Sequence, residues 1–254
     1  MRRQGKHLAA VVAAVLAFTG FMALGVWQLE RLAWKEALIA AVNARIAASP
    51  VAPPGPAAWP QVSAARDAYR HVRVSGTFDN SRETLVQAVT EAGPGFWVLT
   101  PLRTDQGFTV LVNRGLVPAE HAPQAARPAG LIAGPVTVTG LLRASEPGGG
   151  FLRANRPGAG RWYSRDVAAI TRVRNLAQAA PYFIDADGAP NIGGWPRGGM
   201  TVIRFRNSHL SYALTWFALA GMTGVWGAWP LVEALRARRR CSGTALASPH
   251  VPLG

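Results

Sequence analysis

The sequence holds a single cysteine, Cys241, near its C-terminal end. One thiol makes no internal disulfide, so no cross-linked framework supports the fold. The same scarcity argues against copper delivery, which draws on paired soft ligands. Acidic residues are few: 13 Asp and Glu stand against 27 Lys and Arg, a net charge of +14. Asp67, Asp79, Asp105, Asp185 and Asp187 sit in turn-like contexts, and no two carboxylates read as an acid/base couple. The five histidines (His7, His71, His121, His209, His250) follow no metal-ligand spacing. There is no G-x-S-x-G elbow, P-loop, H-E-x-x-H or C-x-x-C, so nothing makes a case for an enzyme. Lysine-rich runs are missing as well. The basic excess is spread as single arginines, which argues against nucleic acid and suits anionic lipid headgroups or an acidic partner protein.

What the chain has in quantity is apolar sequence at both ends. Leu8 to Leu29 carries no charge. It is longer than the roughly 7–15 apolar residues of a cleaved signal peptide and matches a crossing of about 20 residues. Leu210 to Val232 is also uncharged, with Trp226, Trp229 and Pro230 at its far end. Both read as transmembrane helices, over 8–29 and 208–232. Arg2, Arg3 and Lys6 precede the first, and Arg236, Arg238, Arg239 and Arg240 follow the second. The positive-inside rule then makes tails 1–7 and 233–254 cytoplasmic and puts 30–207 outside. The expectation is a multi-pass protein of the bacterial plasma (inner) membrane.

After the first run a helical pattern continues to about Ala48, and Pro50, Pro53, Pro54, Pro56 and Pro60 form a connector. Alternation and turn residues then predict strands over Tyr69–Phe78, Glu83–Val89, Phe96–Leu102, Phe108–Asn113, Pro135–Leu142, Tyr182–Asp185 and Thr201–Phe205. Residues 118–134 read as a loop, and the glycine-rich stretches 146–150 and 155–158 as flexible. Ser164–Ile170 reads as a short helix capped by Ser164, with Asp166 in its first turn. The fold class is α+β: two transmembrane helices flanking a mostly antiparallel β extracytoplasmic domain, a partly closed barrel or a sandwich.

The stretch Asn207 to Phe217 sets a histidine at the outer mouth of the second apolar helix. His209, Tyr212, Ala213, Trp216 and Ala220 fall on one face at spacings of three and four. Two readings stay open. His209 is a haem-iron ligand above an aromatic and small-residue face, with Arg204 and Arg206 for the propionates. Alternatively, His209 is a polar helix cap, and Tyr212 and Trp216 belong to an interfacial aromatic belt. Trp27, Gln28, Arg31 and Lys35 read as an interfacial anchor or a docking edge for another membrane subunit. Asn113-Arg114-Gly115 reads as a structural turn with Arg114 exposed and Gly115 at positive φ. Ala220, Gly221, Gly224, Gly227 and Ala228 thin one side of the second helix for close packing, by default on the first.

Four places together carry a family likeness: Gly25-Val26-Trp27-Gln28-Leu29-Glu30-Arg31 with Lys35; Val112-Asn113-Arg114-Gly115; Gly193-Gly194-Trp195-Pro196; and Asn207 to Phe217. In these residues, their order and the two-span layout, the chain resembles the Surfeit locus protein 1 family of cytochrome c oxidase biogenesis factors, over about residues 8–235. The resemblance implies an assembly factor without a catalysed reaction. It implies help for haem a on its way into the largest oxidase subunit, subunit I, with haem a synthase as a further partner. It also implies haem a contact through the matching histidine, His209. Two other readings are weighed beside it: a scaffold that holds an oxidase intermediate without binding haem, and a membrane-tethered extracytoplasmic binding module. The short cytoplasmic tails disfavour the last.

Overall fold

The computed structural model describes residues 2–150, 152–201 and 205–244. They fall into two compact units, one of residues up to 39 and from 205 onward, the other of residues 40–204.

The first unit is a helix pair, formed by most of α1 (Arg2–Ala47) and by α4 (His209–Thr244). Among the described residues one helix, over Ala9–Ala47, is long and apolar enough to cross a membrane. α4 is helical through Pro230, but its Trp, Gly, Ser and Thr residues lower its mean hydropathy below that of α1. On α1 the residues turned inward recur with a period of seven: Ala14, Phe21, Gln28 and Lys35, with Gly25 between. Such a period keeps one stripe facing a neighbouring helix. Contacts run in opposite directions along the two helices. Gly227 faces Ala14, Gly224 faces Phe18, Phe217 lies on Gly25, and Lys35 lies 5.8 Å from the Phe205 ring centre. The pair is therefore antiparallel. Gly25 is the tightest point: a Cβ there would stand 2.5 Å from Phe217 Cε1, so any other residue must displace that ring or part the helices. Gly221 meets nothing within 4 Å and Ala228 is exposed, so only part of the small-residue side serves this packing.

The second unit is a barrel. After a short helix α2 (Ala64–Asp67) come β1 (His71–Phe78), β2 (Thr84–Thr90), β3 (Gly93–Thr104), β4 (Thr109–Val117) and β5 (Pro135–Ala144). A small hairpin follows, β6 (Gly149–Gly150) and β7 (Arg153–Ala154), then α3 (Val167–Val173) and β8 (Ala179–Ala186). The order is β1-β5-β8-β4-β3-β2, and β1 also pairs with the end of β3, which closes five strands into a ring with β2 attached outside. All pairings are antiparallel except β4 with β8. A closed ring leaves no room for the sandwich alternative. Alternate residues fill the interior: Val72, Val74, Leu102, Val110, Val112, Val138, Tyr182 and Ile184. The other face of the β4–β8 region is covered too, since Leu111 and Phe183 pack with Trp162, Val167 and Ile170 of the α3 segment. β4 is thus buried on both sides, which is why Val110-Leu111-Val112 shows no polar alternation.

Five local expectations change. The cap of α3 is Asp166, whose carboxylate accepts from Ala169 N at 3.1 Å, whereas Ser164 is buried and donates to Glu146 O. The glycine-rich stretch at 149 is the β6–β7 hairpin, and Asn155 is fixed by Tyr163 N and Ser164 N. Arg114 is buried, because β4 runs on through the motif to Val117. There Arg114 and Gly115 form a bulge opposite β3, with Gly115 at φ +129° against the Arg197 backbone. Asp185 lies inside β8 and is buried, so it is no turn residue. Of the strand expected over 201–205, Thr201 and Phe205 are not in a strand, and 202–204 lie outside the described residues.

Candidate functional site

His209 opens α4, where its half-buried ring meets α1. Its Nδ1 lies 2.8 Å from Oε1 of Gln28, an amide buried on the inward stripe. Among the described residues its Nε2 has no hydrogen-bond partner. One turn on, Ala213 is buried, and Ala220 below it is fully buried, so both serve the helix seam. Trp216 stacks on Phe21 of α1 with ring centres 5.7 Å apart. Tyr212 does not join this face: it is 56% exposed, turned off the seam. Arg206 is exposed and makes no ion pair among the described residues, and Arg204 lies outside them. Of the residues singled out from the sequence, His209 and Trp216 thus come together on the seam, and Tyr212 and Arg206 stand apart from it. Beside them, Trp27 and Trp34 are about half exposed, and Arg31 lies over the Trp34 ring at 4.8 Å. This suits an anchoring role better than a packed one.

The donor chemistry at His209 fits haem iron. A neutral imidazole with one nitrogen held by a fixed neighbour and the other without a partner is the usual form of a histidine ligand. No group of three or more His, Cys, Asp or Glu residues stands ready for a bare metal ion among the described residues. A single histidine would suffice only for a group that brings its own equatorial donors, as a haem does.

Two buried charge networks in the barrel unit escaped the sequence reading. Asp185, 3% exposed, is the hub of the first. Its carboxylate accepts from Asn113 Nδ2 and Arg143 Nη1, each at 2.7 Å, from Thr201 Oγ1 at 3.0 Å and from Arg165 Nη1 at 3.1 Å. Arg165 also grips Glu146 with two bonds, at 2.5 and 3.0 Å, and lies 4.7 Å over the Phe183 ring. Burial works against the Arg165 charge, but the Glu146 hydrogen bonds and the Asp185 charge outweigh it and hold its pKa above the ordinary arginine value. In the second network Arg127 pairs with Glu83 by a two-pronged contact. Arg114 lies near both. It donates to Gly130 O at 2.7 Å, lies 4.7 Å over the Phe78 ring and makes no ion pair among the described residues, and burial pulls its pKa down to about 10. These networks join strands, loops and α3, and their chemistry is that of structural clamps. The V-N-R-G motif serves both: Asn113 holds Asp185, Arg114 ties down the 128–130 turn, and Gly115 lets the Gly193–Pro196 motif's neighbour Arg197 pair with Leu116.

The family profile described as SURF1 family matches residues 15–221. The chain belongs to the SURF1 family. It is similar to Surfeit locus protein 1 of Homo sapiens, 37% identical over 217 residues, covering 79% of this chain and 70% of that protein. It is similar to Surfeit locus protein 1 of Mus musculus at 37% over 216 residues, covering 79% and 68%. A SURF1-like protein of Monosiga brevicollis is 36% identical, covering 79% of each chain. The SURF1 family match reaches across both units, from the inward stripe of α1 through the barrel and past His209 to Gly221 of α4.

Proposed function

We propose that this chain is a membrane assembly factor for haem–copper (cytochrome c) oxidase that catalyses no reaction of its own. It holds haem a at the outer membrane face and aids its insertion into subunit I, with haem a synthase as a neighbouring partner. Family membership supports the role in oxidase assembly. The observation that carries the haem a reading is His209: a half-buried imidazole at a helix start, one ring nitrogen held by Gln28 and the other without a partner among the described residues. Haem a, when bound, would be held by His209 through its iron, with the apolar flank of α4 beside it. Arg206 is free to meet a propionate. A single axial ligand and apolar packing suit a carrier that must also release its cargo.

α4 is taken as the second crossing, with both termini cytoplasmic and the barrel outside the bacterial plasma membrane. The flanking arginines and the charge-free stretch of α4 support this placement.

The test is to produce the full chain in cells that make haem a and record the visible spectrum of the purified protein. A haem a spectrum that is lost in His209→Ala is the expected outcome. Protein that comes out colourless, or a spectrum unchanged by His209→Ala, removes haem binding. If His209→Ala also leaves oxidase yield at the wild-type level, the scaffold reading takes its place.

A further inference from the structure

Gln28 is a polar side chain on an otherwise apolar stretch of helix, and only 9% of it is exposed. An amide turned inward and largely shut off from solvent is served by a protein partner. Its Oε1 stands 2.8 Å from His209 Nδ1. Phe217 packed into the Gly25 gap and the buried Ala213 hold the two helices together within two turns of this contact, on its inner side, so amide and ring are kept facing each other. An amide oxygen only accepts, so Nδ1 must carry the ring proton. A neutral imidazole has one such proton, and Nε2 is then the atom with the lone pair. The reversed amide would put the proton on Nε2 and leave a donor where an iron ligand must donate electrons.

We propose that Gln28 is a positioning residue: it holds His209 in the Nδ1–H form and so keeps Nε2 available as the axial ligand. The inference rests on the reading of His209 as a haem ligand. Gln28 touches neither iron nor porphyrin and acts through the histidine, as the outer partner of a metal-bound imidazole does.

The experiment uses the full chain in detergent micelles. With 15N-labelled histidine, at a pH well above imidazole titration and with no haem present, His209 shows the Nδ1–H tautomer in the wild type. Gln28→Leu shifts it to a mixture richer in Nε2–H, and Gln28→Glu, which keeps the acceptor, retains the wild-type form. Ferric haem b serves as the probe. Its Kd rises about 10-fold or more in Gln28→Leu, within the range seen for such outer partners, and recovers in Gln28→Glu. An unchanged tautomer and Kd in Gln28→Leu overturn the proposal. So does equal loss of haem in both variants, which would mean disturbed packing. His209→Ala separates the two claims. If it binds ferric haem b as the wild type does, His209 is no ligand and the parent reading fails. If it loses haem while Gln28→Leu does not, only the role of Gln28 fails.

Discussion

Arg127 and Glu83 are both almost wholly removed from water, at 1% and 5% side-chain exposure. A buried pair is modest evidence for stability, but half of one is costly, because the remaining charge has neither water nor a countercharge. Glu83→Ala is expected to destabilise the barrel unit by about 3–5 kcal/mol. At roughly 2–4 °C per kcal/mol for a domain of this size, a thermal melt resolves that easily; a shift of a degree or two would show the pair to be dispensable. Asp79 gives a prediction that depends on pH. The Ser81 hydroxyl donates to its carboxylate at 2.6 Å and, with Arg103 and Arg82 beside it, holds the carboxyl below its ordinary pKa. A depressed folded value means the stabilisation is complete above an unfolded pKa of about 3.9 and is lost as pH falls through the folded one. Ser81→Ala should therefore weaken the protein at pH 7 and make no difference well below the carboxylate range, as urea melts at the two pH values would show. A gap that persists in acid would assign the effect to something other than this carboxylate. Not all of these residues were legible in advance. His209 stood out because a lone imidazole on an apolar helix is conspicuous. Gln28 read as surface anchor because its neighbours Trp27 and Arg31 are anchors, and only the seven-residue period from Ala14 to Lys35 marks it as inward. Asp185 and Arg114 were misplaced for a shared reason: a charge between apolar strand residues is read as the strand's end unless its distant partners are known, and those partners lie 42 and 16 residues away in Arg143 and Gly130.

Among elements, α1 and α4 depend on each other at a few small residues. If Gly25 sets the approach of Phe217, then cysteines at positions 14 and 227, in a Cys241→Ser background, should cross-link in membranes under mild oxidation, since these positions are in direct contact. Adding Gly25→Leu should cut that cross-linking severalfold, because the new side chain would meet the ring of Phe217. Undiminished cross-linking would mean that the pair is set by other contacts. The strands were the most readable elements. Period-two alternation located β1, β2 and β5 to within a few residues, whereas β4 lost its alternation through burial on both faces, and its end was misread at the bulge. Strand order was beyond reach, because the partners of β8 are β5 and β4, neither of which adjoins it in the sequence.

For the whole molecule, every statement about haem access depends on sidedness. An apolar residue at a helix centre adds only about 0.3–0.6 kcal/mol to insertion, while a central arginine costs about 2.5–3.5. Charge-free runs of this length should insert, with the basic flanks staying inside. A phosphatase fused after Gly148 should be active and one fused after Arg240 silent. Activity after Arg240 would place that tail outside and remove α4 as a crossing.

The ring of strands carries a consequence for how the protein is made. β8 is the last barrel strand in the chain, yet it sits between β5 and β4. Until residues 179–186 have been made, the nascent domain is an open curl, with β4 and β5 each exposing an unmet edge to any other extended polypeptide. Closure must then join segments about seventy residues apart, as in the pairing of Thr109 with Ala179, so it should be slow and late. A chain that stops at Arg174 should be cleared by cellular proteases, while one that runs through Thr201 should survive as a folded domain.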